Sequence, residues 1–255
     1  PQGIQAKEFI LPKELLEQNC VISLSKMKTH ALERITGAVK NSYGFVYGFH
    51  KAKGHTQYPS ADSFARMLID LNKCVAPKLY VMDGIVAMEG NGPGSGDPVQ
   101  MNVMLMSTDP VALDSVFSRL VYLKPEMVPT NYHGEKMGLG TWKEEEITLL
   151  TPDGEISMSE AVKRYGNPQF NVDRTEVRKN IWTRMAGALN IFQKKPYIEA
   201  DKCVRCGICV QSCPVPGKAV DFRKGKGKPP VYDYKKCIRC FCCQEMCPKK
   251  AIKVK

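Results

Sequence analysis

Eight cysteines near the C-terminus fall into two copies of one spacing pattern. In each copy three cysteines are separated by two residues, and a fourth follows after three residues and precedes proline. The cysteines are Cys203, Cys206, Cys209, Cys213, Cys237, Cys240, Cys243 and Cys247. This spacing is typical of proteins that hold two [4Fe–4S] clusters, in which the fourth cysteine of each run binds the other cluster. We therefore expect two [4Fe–4S] clusters as cofactors.

The exchange of the fourth cysteine predicts a complete ligand set for each cluster. Cluster 1 takes Cys203, Cys206, Cys209 and Cys247, and cluster 2 takes Cys237, Cys240, Cys243 and Cys213. Zinc or disulfides are the alternative, because paired cysteines at this spacing also make zinc sites. Zinc sites rarely add a third cysteine at the same interval and a fourth before proline. Cys242 breaks the interval and is predicted not to be a ligand, whereas Cys20 and Cys74 lie in apolar stretches typical of buried side chains.

The composition is that of an ordinary globular protein. The chain has 255 residues, of which 43% are hydrophobic and 25% charged, enough for one large core and a small module. No run of about 18 apolar residues occurs, so no membrane span is expected, and no secretory signal is visible. Cysteines that serve as metal ligands indicate a reducing compartment, and the predicted location is cytoplasmic.

Positive charge is concentrated at the C-terminal end. Residues 196–255 contain 14 Lys and Arg against 5 Asp and Glu, a balance of +9 out of the net +11. These lysines either offset the charge of the clusters and keep the module soluble, or form a docking face for an acidic electron-transfer protein. Nucleic acid is an unlikely partner because no recognised binding motif accompanies the charge.

Two domains are predicted, with a boundary near residues 194–200. Residues 1–195 alternate strand and helix patterns, which predicts an α/β domain with a mostly parallel sheet sandwiched by helices. Residues 196–255 form a small α+β ferredoxin-like domain, with a short helix after each cysteine run. The predicted strands are 20–24, 79–82, 103–106, 219–222 and 231–234, and the predicted helices are 31–39, 60–75, 175–192 and one that starts at Asp109.

Basic residues follow the first predicted strand. Lys26, Lys28 and His30 come where α/β proteins bind ligands, beyond the carboxyl end of a strand. They would bind an anion or move a proton, unless they form a solvated basic loop. A second group in residues 36–44 adds Lys40 and Asn41 as ligand-binding candidates. His50 and His55 follow it, but the sequence shows no convincing helix to pair them at a metal.

A glycine-rich segment, residues 83–98, follows the strand at 79–82. Asp83 and Glu89 are candidate acids, bases or ligands of a divalent ion. The backbone N–H groups around Asn91, Gly92 and Gly94 could cradle an anion, although a mobile surface turn is the alternative. The segment is neither a phosphate-binding loop of the Walker type nor a dinucleotide fingerprint.

Three strings in the first domain resemble the domain-of-unknown-function family 362. They are Lys26-Met27-Lys28-Thr29-His30 with residues 36–41, Asp83-Gly84-Ile85 with residues 89–93, and residues 109–114. The resemblance covers about residues 8–122. It implies the two-domain architecture, since members often carry a C-terminal dicluster ferredoxin module, and it implies that an upstream portion is missing here. The family has no assigned reaction, so the resemblance implies no activity.

Two functions are compatible with these features. In the first, the chain is an iron–sulfur oxidoreductase that passes electrons from the clusters to a small anionic ligand in the α/β domain. Lys28, His30, Asp83 and Glu89 would then be catalytic candidates. In the second, the chain is a non-enzymatic metallocentre assembly or scaffold protein whose clusters are structural or delivered. A plain ferredoxin is disfavoured because about 195 residues lie outside the cluster module.

Overall fold

A four-stranded sheet organises the first domain of the computed structural model, which describes residues 3–47, 50–176 and 194–254. The strands lie in the order β2-β1-β3-β4. Their bounds are β1 Ile22–His30, β2 Arg34–Thr36, β3 Leu79–Glu89 and β4 Asp97–Ser107. The predicted α/β class is confirmed.

Pairing within this sheet is mixed. Strands β1 and β3 pair in parallel, whereas β2 pairs with β1 and β4 pairs with β3 in the antiparallel sense. The sequence predicts a mostly parallel sheet, and the two antiparallel pairs depart from that expectation. The reason is connection length: residues 31–33 and residues 90–96 are too short for a crossover, which needs about a dozen residues.

Two of the predicted helices form with the expected end signals. Helix α4 begins after Ser60, whose side chain accepts the N–H of Ser63 in a capping box. Helix α5 follows Asp109, which accepts the N–H groups of Val111 and Ala112 at 2.7 and 2.9 Å. The α-helices among the described residues of the first domain are α1 Lys13–Leu16, α2 Ala38–Asn41, α3 His50–Gln57, α4 Ala61–Val75, α5 Pro110–Leu120, α6 Pro129–Lys136 and α7 Met158–Tyr165. Strand formation at 79–82 and 103–106 is likewise confirmed, within longer strands.

Other local expectations are wrong. Residues 31–39 do not form one helix, because β2 and the single turn of α2 divide them. Asp83 does not follow a strand end, because pairing with β4 extends β3 to Glu89. Residues 50–57 form a helix that the sequence did not predict. Short apolar or mixed segments carry too few periods to separate strand from helix. Most of the predicted helix 175–192 lies outside the described residues.

The core lies on one face of the sheet. Met27, Met82 and Phe117 belong to a buried cluster between the strands and α5. A second cluster, which includes Phe64 and Leu68, joins α4 to α2 and α6. On the opposite face, apolar side chains remain exposed in the described part of the chain: Ile22, Leu24, Met104 and Met106. The expected cover of helices is therefore present on one face of the described sheet.

The second domain consists of short paired elements. Strand β7 Pro196–Ile198 pairs with β10 Ile252–Val254, and β8 Val220–Asp221 pairs with β9 Val231–Tyr232. Helices α8 Ile208–Gln211 and α9 Cys242–Glu245 follow the first three cysteines of each run, as predicted. A further hairpin, β5 Leu149–Thr151 with β6 Gly154–Ile156, lies in the first domain. No helix within the described residues combines the length and apolarity needed to cross a bilayer.

Asp114 anchors the start of α2, and its removal tests that role. Its buried carboxylate accepts the N–H groups of Ala38 and Val39 at 2.5 and 3.1 Å. We expect Asp114→Ala to lower the free energy of unfolding by about 2–4 kcal/mol, because two buried N–H groups lose their acceptor. Urea unfolding followed by circular dichroism measures this. The matched control is Asp153→Ala, an exposed turn residue, which should change the free energy by less than about 0.5 kcal/mol. Equal effects of the two substitutions would contradict the anchoring role.

Candidate functional site

Four cysteines from both runs surround one cavity in the second domain, called cavity 1. They are Cys203, Cys206, Cys209 and Cys247. Apolar residues such as Ile208 and Ile252 complete the wall. Cys206 is exposed, whereas Cys209 is buried. Cavity 1 therefore opens toward the surface on the side of Cys206.

The other four cysteines surround a second cavity, called cavity 2. They are Cys213, Cys237, Cys240 and Cys243. All except Cys237 are buried. The backbone N–H of Ala219 donates to Cys213 Sγ at 3.3 Å, and the Tyr232 hydroxyl lies 3.1 Å from Cys243 Sγ. Such contacts stabilise the charge on a sulfur ligand and tune the potential of an iron–sulfur site.

The chemistry of both cavities fits a cluster held by four thiolates. In each cavity all four potential ligands are thiols, and one of the four comes from the opposite run. Burial raises the pKa of Cys209 to about 11 and also raises the pKa of Cys243. Without a metal, these two thiols are therefore protonated at neutral pH, and a metal that binds there must displace their protons. Among the described residues, no group of three or more metal-ligating side chains is placed to hold a single ion.

The remaining cysteines differ from the eight. Cys242 is buried but does not line cavity 1 or cavity 2. Cys20 is exposed and Cys74 is half-buried. The expectation that Cys20 is buried is wrong, because it precedes β1 in a connecting segment rather than lying within the strand.

Backbone conformation in the two cysteine runs repeats every 34 residues. Arg205 and Arg239 both have positive φ angles, of 59° and 57°. Two residues later, Gly207 and Phe241 are also left-handed, with φ of 77° and 60°. Glycine adopts this conformation easily, whereas phenylalanine is strained in it. The second run therefore keeps the same backbone turn as the first, although the Phe241 side chain makes this conformation unfavourable.

The helix beside cavity 2 contacts the α/β domain directly. Glu245, in α9, places its Oε1 atom 3.0 Å from Nε2 of His30, the last residue of β1. The His30 Nδ1 atom accepts the N–H groups of Leu32 and Glu33, each at 3.1 Å. With Nδ1 an acceptor, the proton lies on Nε2, which donates to Glu245. Burial lowers the pKa of His30 to about 4, so this contact is a hydrogen bond from a neutral imidazole.

The glycine-rich loop, residues 90–96, also docks on the second domain. The Gln244 side chain donates to the carbonyls of Asn91 and Gly92 at 2.7 and 3.0 Å. Asn91 donates in turn to the carbonyl of Ile252 at 2.9 Å. A Cβ atom on Gly94 would lie 2.8 Å from the carbonyl oxygen of Glu245, so only glycine fits there. These loop residues contact the cluster module rather than forming a free cradle for an anion.

Charged side chains are buried behind this contact. Lys28 is half-buried, and burial together with the charge of Lys40 lowers its pKa. Lys40 is 8% exposed. Glu33 is fully buried, its oxygens have no hydrogen-bond partner among the described residues, and burial raises its pKa well above the usual range. We call Lys28, His30, Glu33 and Lys40 the buried polar group.

Other candidate residues lie apart from this group. Asp83 contacts Lys26, and both side chains are about half exposed on the outer face of the sheet. Glu89 accepts the backbone N–H of Asn171 at 2.7 Å, and Asn41 donates to the carbonyl of Leu24 at 3.1 Å. The predicted site residues therefore divide between the domain contact and the sheet surface.

The sequence did not identify Glu33, Gln244 and Glu245. Glu33 lies in a segment with the pattern of a helix, and the other two lie inside a cysteine run, where the cysteines dominate the pattern. The roles of Gln244 and Glu245 come from contacts that span more than 150 positions of the chain.

A polar cleft of about 420 Å³ opens between the two domains beside this contact. Its wall includes His30, Arg34 and Asn91 from the first domain and Tyr197 and Lys253 from the second. Arg34 already donates to the carbonyls of Asp173 and Thr175. His30 lies in the wall of the cleft, and its side chain is fully buried.

Two family models match the chain. Residues 1–119 match the domain of unknown function DUF362, and residues 195–248 match the 4Fe-4S dicluster domain. The architecture that the resemblance implied, a family-362 region followed by a dicluster module, is confirmed. The dicluster domain defines the chain as an iron–sulfur protein.

One relative shares a long stretch of this sequence. The thylakoid-associated protein sll1697 of Synechocystis sp. is 41% identical over 130 residues. The match covers 51% of this chain and 40% of the relative. The chain therefore spans less than half of the length of the relative that it matches.

The ligand sets can be tested by iron content. Anaerobically prepared wild-type protein should contain about eight iron and eight sulfide per chain. Cys242→Ser should keep nearly all of this iron, because Cys242 lines neither cavity, whereas Cys243→Ser should lose about four iron. Metal analysis and the visible absorption measure both variants. Loss of a whole cluster in Cys242→Ser, or stoichiometric zinc without sulfide, would contradict the assignment.

His55 tests the consequence of burial for stability. It stacks on Phe64 with ring centroids 4.4 Å apart, and burial lowers its pKa from 6.5 to about 4. Between these values the unfolded chain binds the proton and the folded chain does not. The free energy of unfolding should therefore fall as pH decreases from about 6.5, with a slope of up to about 1.4 kcal/mol per pH unit.

His55→Phe removes this contribution and keeps the ring stack. The measurement is the difference in unfolding free energy between wild type and His55→Phe from pH 7.5 to 5.5, in which all shared titrations cancel. The variant should gain stability relative to wild type as pH falls. Parallel stability curves would contradict this, because they would show that His55 binds its proton equally well in the folded and the unfolded chain.

Proposed function

We propose that this chain is an electron-transfer protein that holds two [4Fe–4S] clusters and passes electrons toward its α/β domain. The observation that carries the proposal is the hydrogen bond between His30 and Glu245. It joins the end of β1 to Glu245, which lies in the chain between two cysteines of different cavities, Cys243 and Cys247. Cytoplasmic location stays a prediction.

The eight cysteines that line the two cavities would hold the clusters. When bound, the clusters supply one-electron transfer at potentials that depend on burial and hydrogen bonding. The Tyr232 hydroxyl and the N–H groups of Ala219 and Ala251 approach cysteine sulfurs at 3.1–3.3 Å. These groups would stabilise the more reduced, more negative form of a bound cluster.

Residues 244 and 245 fix the position of cavity 2 against the α/β domain. Glu245 accepts from His30, and Gln244 donates to two carbonyls of the glycine-rich loop. Gln244 is fully buried, so water is excluded from this part of the contact. A rigid, dry contact of this kind supports electron transfer between domains rather than free movement of the module.

The buried polar group is the proposed position of the electron acceptor. Lys28 and Lys40 would attract a small anionic ligand, and the neutral His30 carries an Nε2 proton at the domain contact. The oxygens of Glu33 have no hydrogen-bond partner among the described residues, and burial raises its pKa, which favours the protonated form. The proposed reaction class is reduction of the anionic ligand, with the iron–sulfur module as the one-electron donor. Asp83 and Lys26 are not part of this position, because they contact each other on the outer face.

A non-enzymatic assembly or scaffold protein is the competing proposal. Partial exposure of cavity 1 at Cys206 would permit release of a cluster to an acceptor protein. The two proposals differ in the fate of iron. An electron-transfer protein keeps all its iron through repeated cycles of reduction and oxidation, whereas a delivery protein loses iron to an apo-ferredoxin.

The ligand position can be tested without an assay of activity. We expect Lys28→Gln to weaken binding of inorganic phosphate, the probe anion, by about tenfold or more, because one of the two lysines of the buried polar group is lost. Isothermal calorimetry on the anaerobic holoprotein measures this binding, and iron analysis shows that the clusters remain. The matched control is Asp83→Asn. It removes the charge of a residue in the neighbouring strand β3, on the outer face of the sheet, and should leave phosphate binding unchanged. Weaker binding in Asp83→Asn alone, or no phosphate binding at all, would contradict this position for the anion.

A further inference from the structure

Cavity 1 lies at the exposed side of the module. Cys206 is exposed, and Val204 beside it is 54% exposed. Cavity 2, in contrast, has three buried cysteines and adjoins the helix that contacts His30. The two cavities therefore differ in what they face: one faces solvent, and the other lies beside the α/β domain.

Basic side chains surround the exposed side of cavity 1. Arg205 and Lys249 line the cavity itself. Arg205 also donates to the carbonyl of Gly227 at 2.9 Å, which holds the turn at residues 223–228 beside the cavity. This turn presents three exposed lysines: Lys224, Lys226 and Lys228. Within the part of the chain that the structure describes, these five basic side chains form no ion pair, so their positive charge is directed to solvent.

An apolar groove of about 490 Å³ adjoins this charge. Pro229 and Tyr234 line it together with Lys224 and Lys228. The groove shares two residues with cavity 1, Ile198 and Pro230. The surface is thus continuous, with an apolar centre and a basic rim, which is the usual arrangement of a protein–protein interface.

We propose that this surface is the docking site of an acidic one-electron carrier protein. We call it the basic docking face, made of Arg205, Lys224, Lys226, Lys228 and Lys249 with the adjoining groove. The inference rests on the proposed electron-transfer function and adds the class of the donor and the place where it binds. Charge complementarity favours an acidic partner, because the side chains of the domain have a charge balance of +9 and would repel a basic carrier.

The location of the charge favours a redox protein over other polyanions. Arg205 lines cavity 1, which four cysteines surround, and its hydrogen bond to the Gly227 carbonyl holds the turn that carries the exposed lysines beside this cavity. A membrane surface or nucleic acid would attract positive charge anywhere on the molecule, without reference to the cavity. An acidic carrier gains from this placement, because docking there brings its redox centre next to the exposed Cys206.

Binding of an acidic [2Fe–2S] ferredoxin to the holoprotein tests the proposal. Affinity should fall steeply between about 0.1 M and 1 M salt, because the Debye length shortens from about 10 Å to about 3 Å. The triple variant K224E/K226E/K228E should bind about tenfold or more weakly at the lower salt, with unchanged iron content. The matched control is K53E/K78E/K163E, which makes the same change in net charge at exposed positions of the first domain. It should weaken binding less than about threefold.

Three results would overturn the docking face. Equal weakening by the two triple variants would show attraction by net charge alone. Absence of binding by the wild-type holoprotein would show that no acidic carrier docks. Wild-type binding to phosphatidylglycerol vesicles that the K224E/K226E/K228E variant loses, with ferredoxin binding unchanged, would assign the face to a membrane. In each case intact iron content would leave the proposed electron-transfer function standing, whereas loss of iron from wild type would contradict that function instead.

Discussion

The exchange of one cysteine between the two runs is the constraint on which the second domain depends. Cys247 completes the cavity of the first run, and Cys213 completes the cavity of the second. Neither run can close its own site, so both must fold together around their ligands. The regular elements here are only two to four residues long. Elements so short supply little hydrophobic burial, and small domains of this kind usually need metal for stability.

This constraint also positions the contact between domains. Because Glu245 lies between Cys243 and Cys247, its direction is set by two sites at once. It meets His30, whose ring is oriented by two backbone N–H groups of the following turn. The glycine-rich loop completes the contact, since Gly94 allows the backbone of Glu245 to approach closely. The loop that has the composition of an anion cradle thus serves as a docking surface for the module.

Electrostatics separates the two ends of the module. At the exposed end, positive charge is solvated and unpaired among the described residues. At the domain contact, Lys28, Glu33 and Lys40 are half or fully buried. Burial lowers the pKa of Lys28 and raises the pKa of Glu33, so it favours the neutral form of both residues. Charge in water attracts a partner over a distance, whereas charge taken out of water interacts strongly with whatever lies next to it. The same residue type therefore supports a docking role at one end and a ligand-binding role at the other.

The sequence alone determined the features that depend on local spacing. The cysteine intervals indicated the cluster module, Ser60 and Asp109 marked helix starts, and the family strings indicated the first domain. Only the tertiary structure decided which side chains meet. It placed His30 against Glu245, 215 positions away, and left Asp83 with Lys26 on the outer face of the sheet. Capping and ligand intervals act within a few residues and remain visible in a sequence, whereas strand register and domain docking arise from contacts between distant segments. A strand that extends seven residues past its predicted end, as β3 does, or a bulge between Lys26 and Lys28, is enough to redirect a side chain.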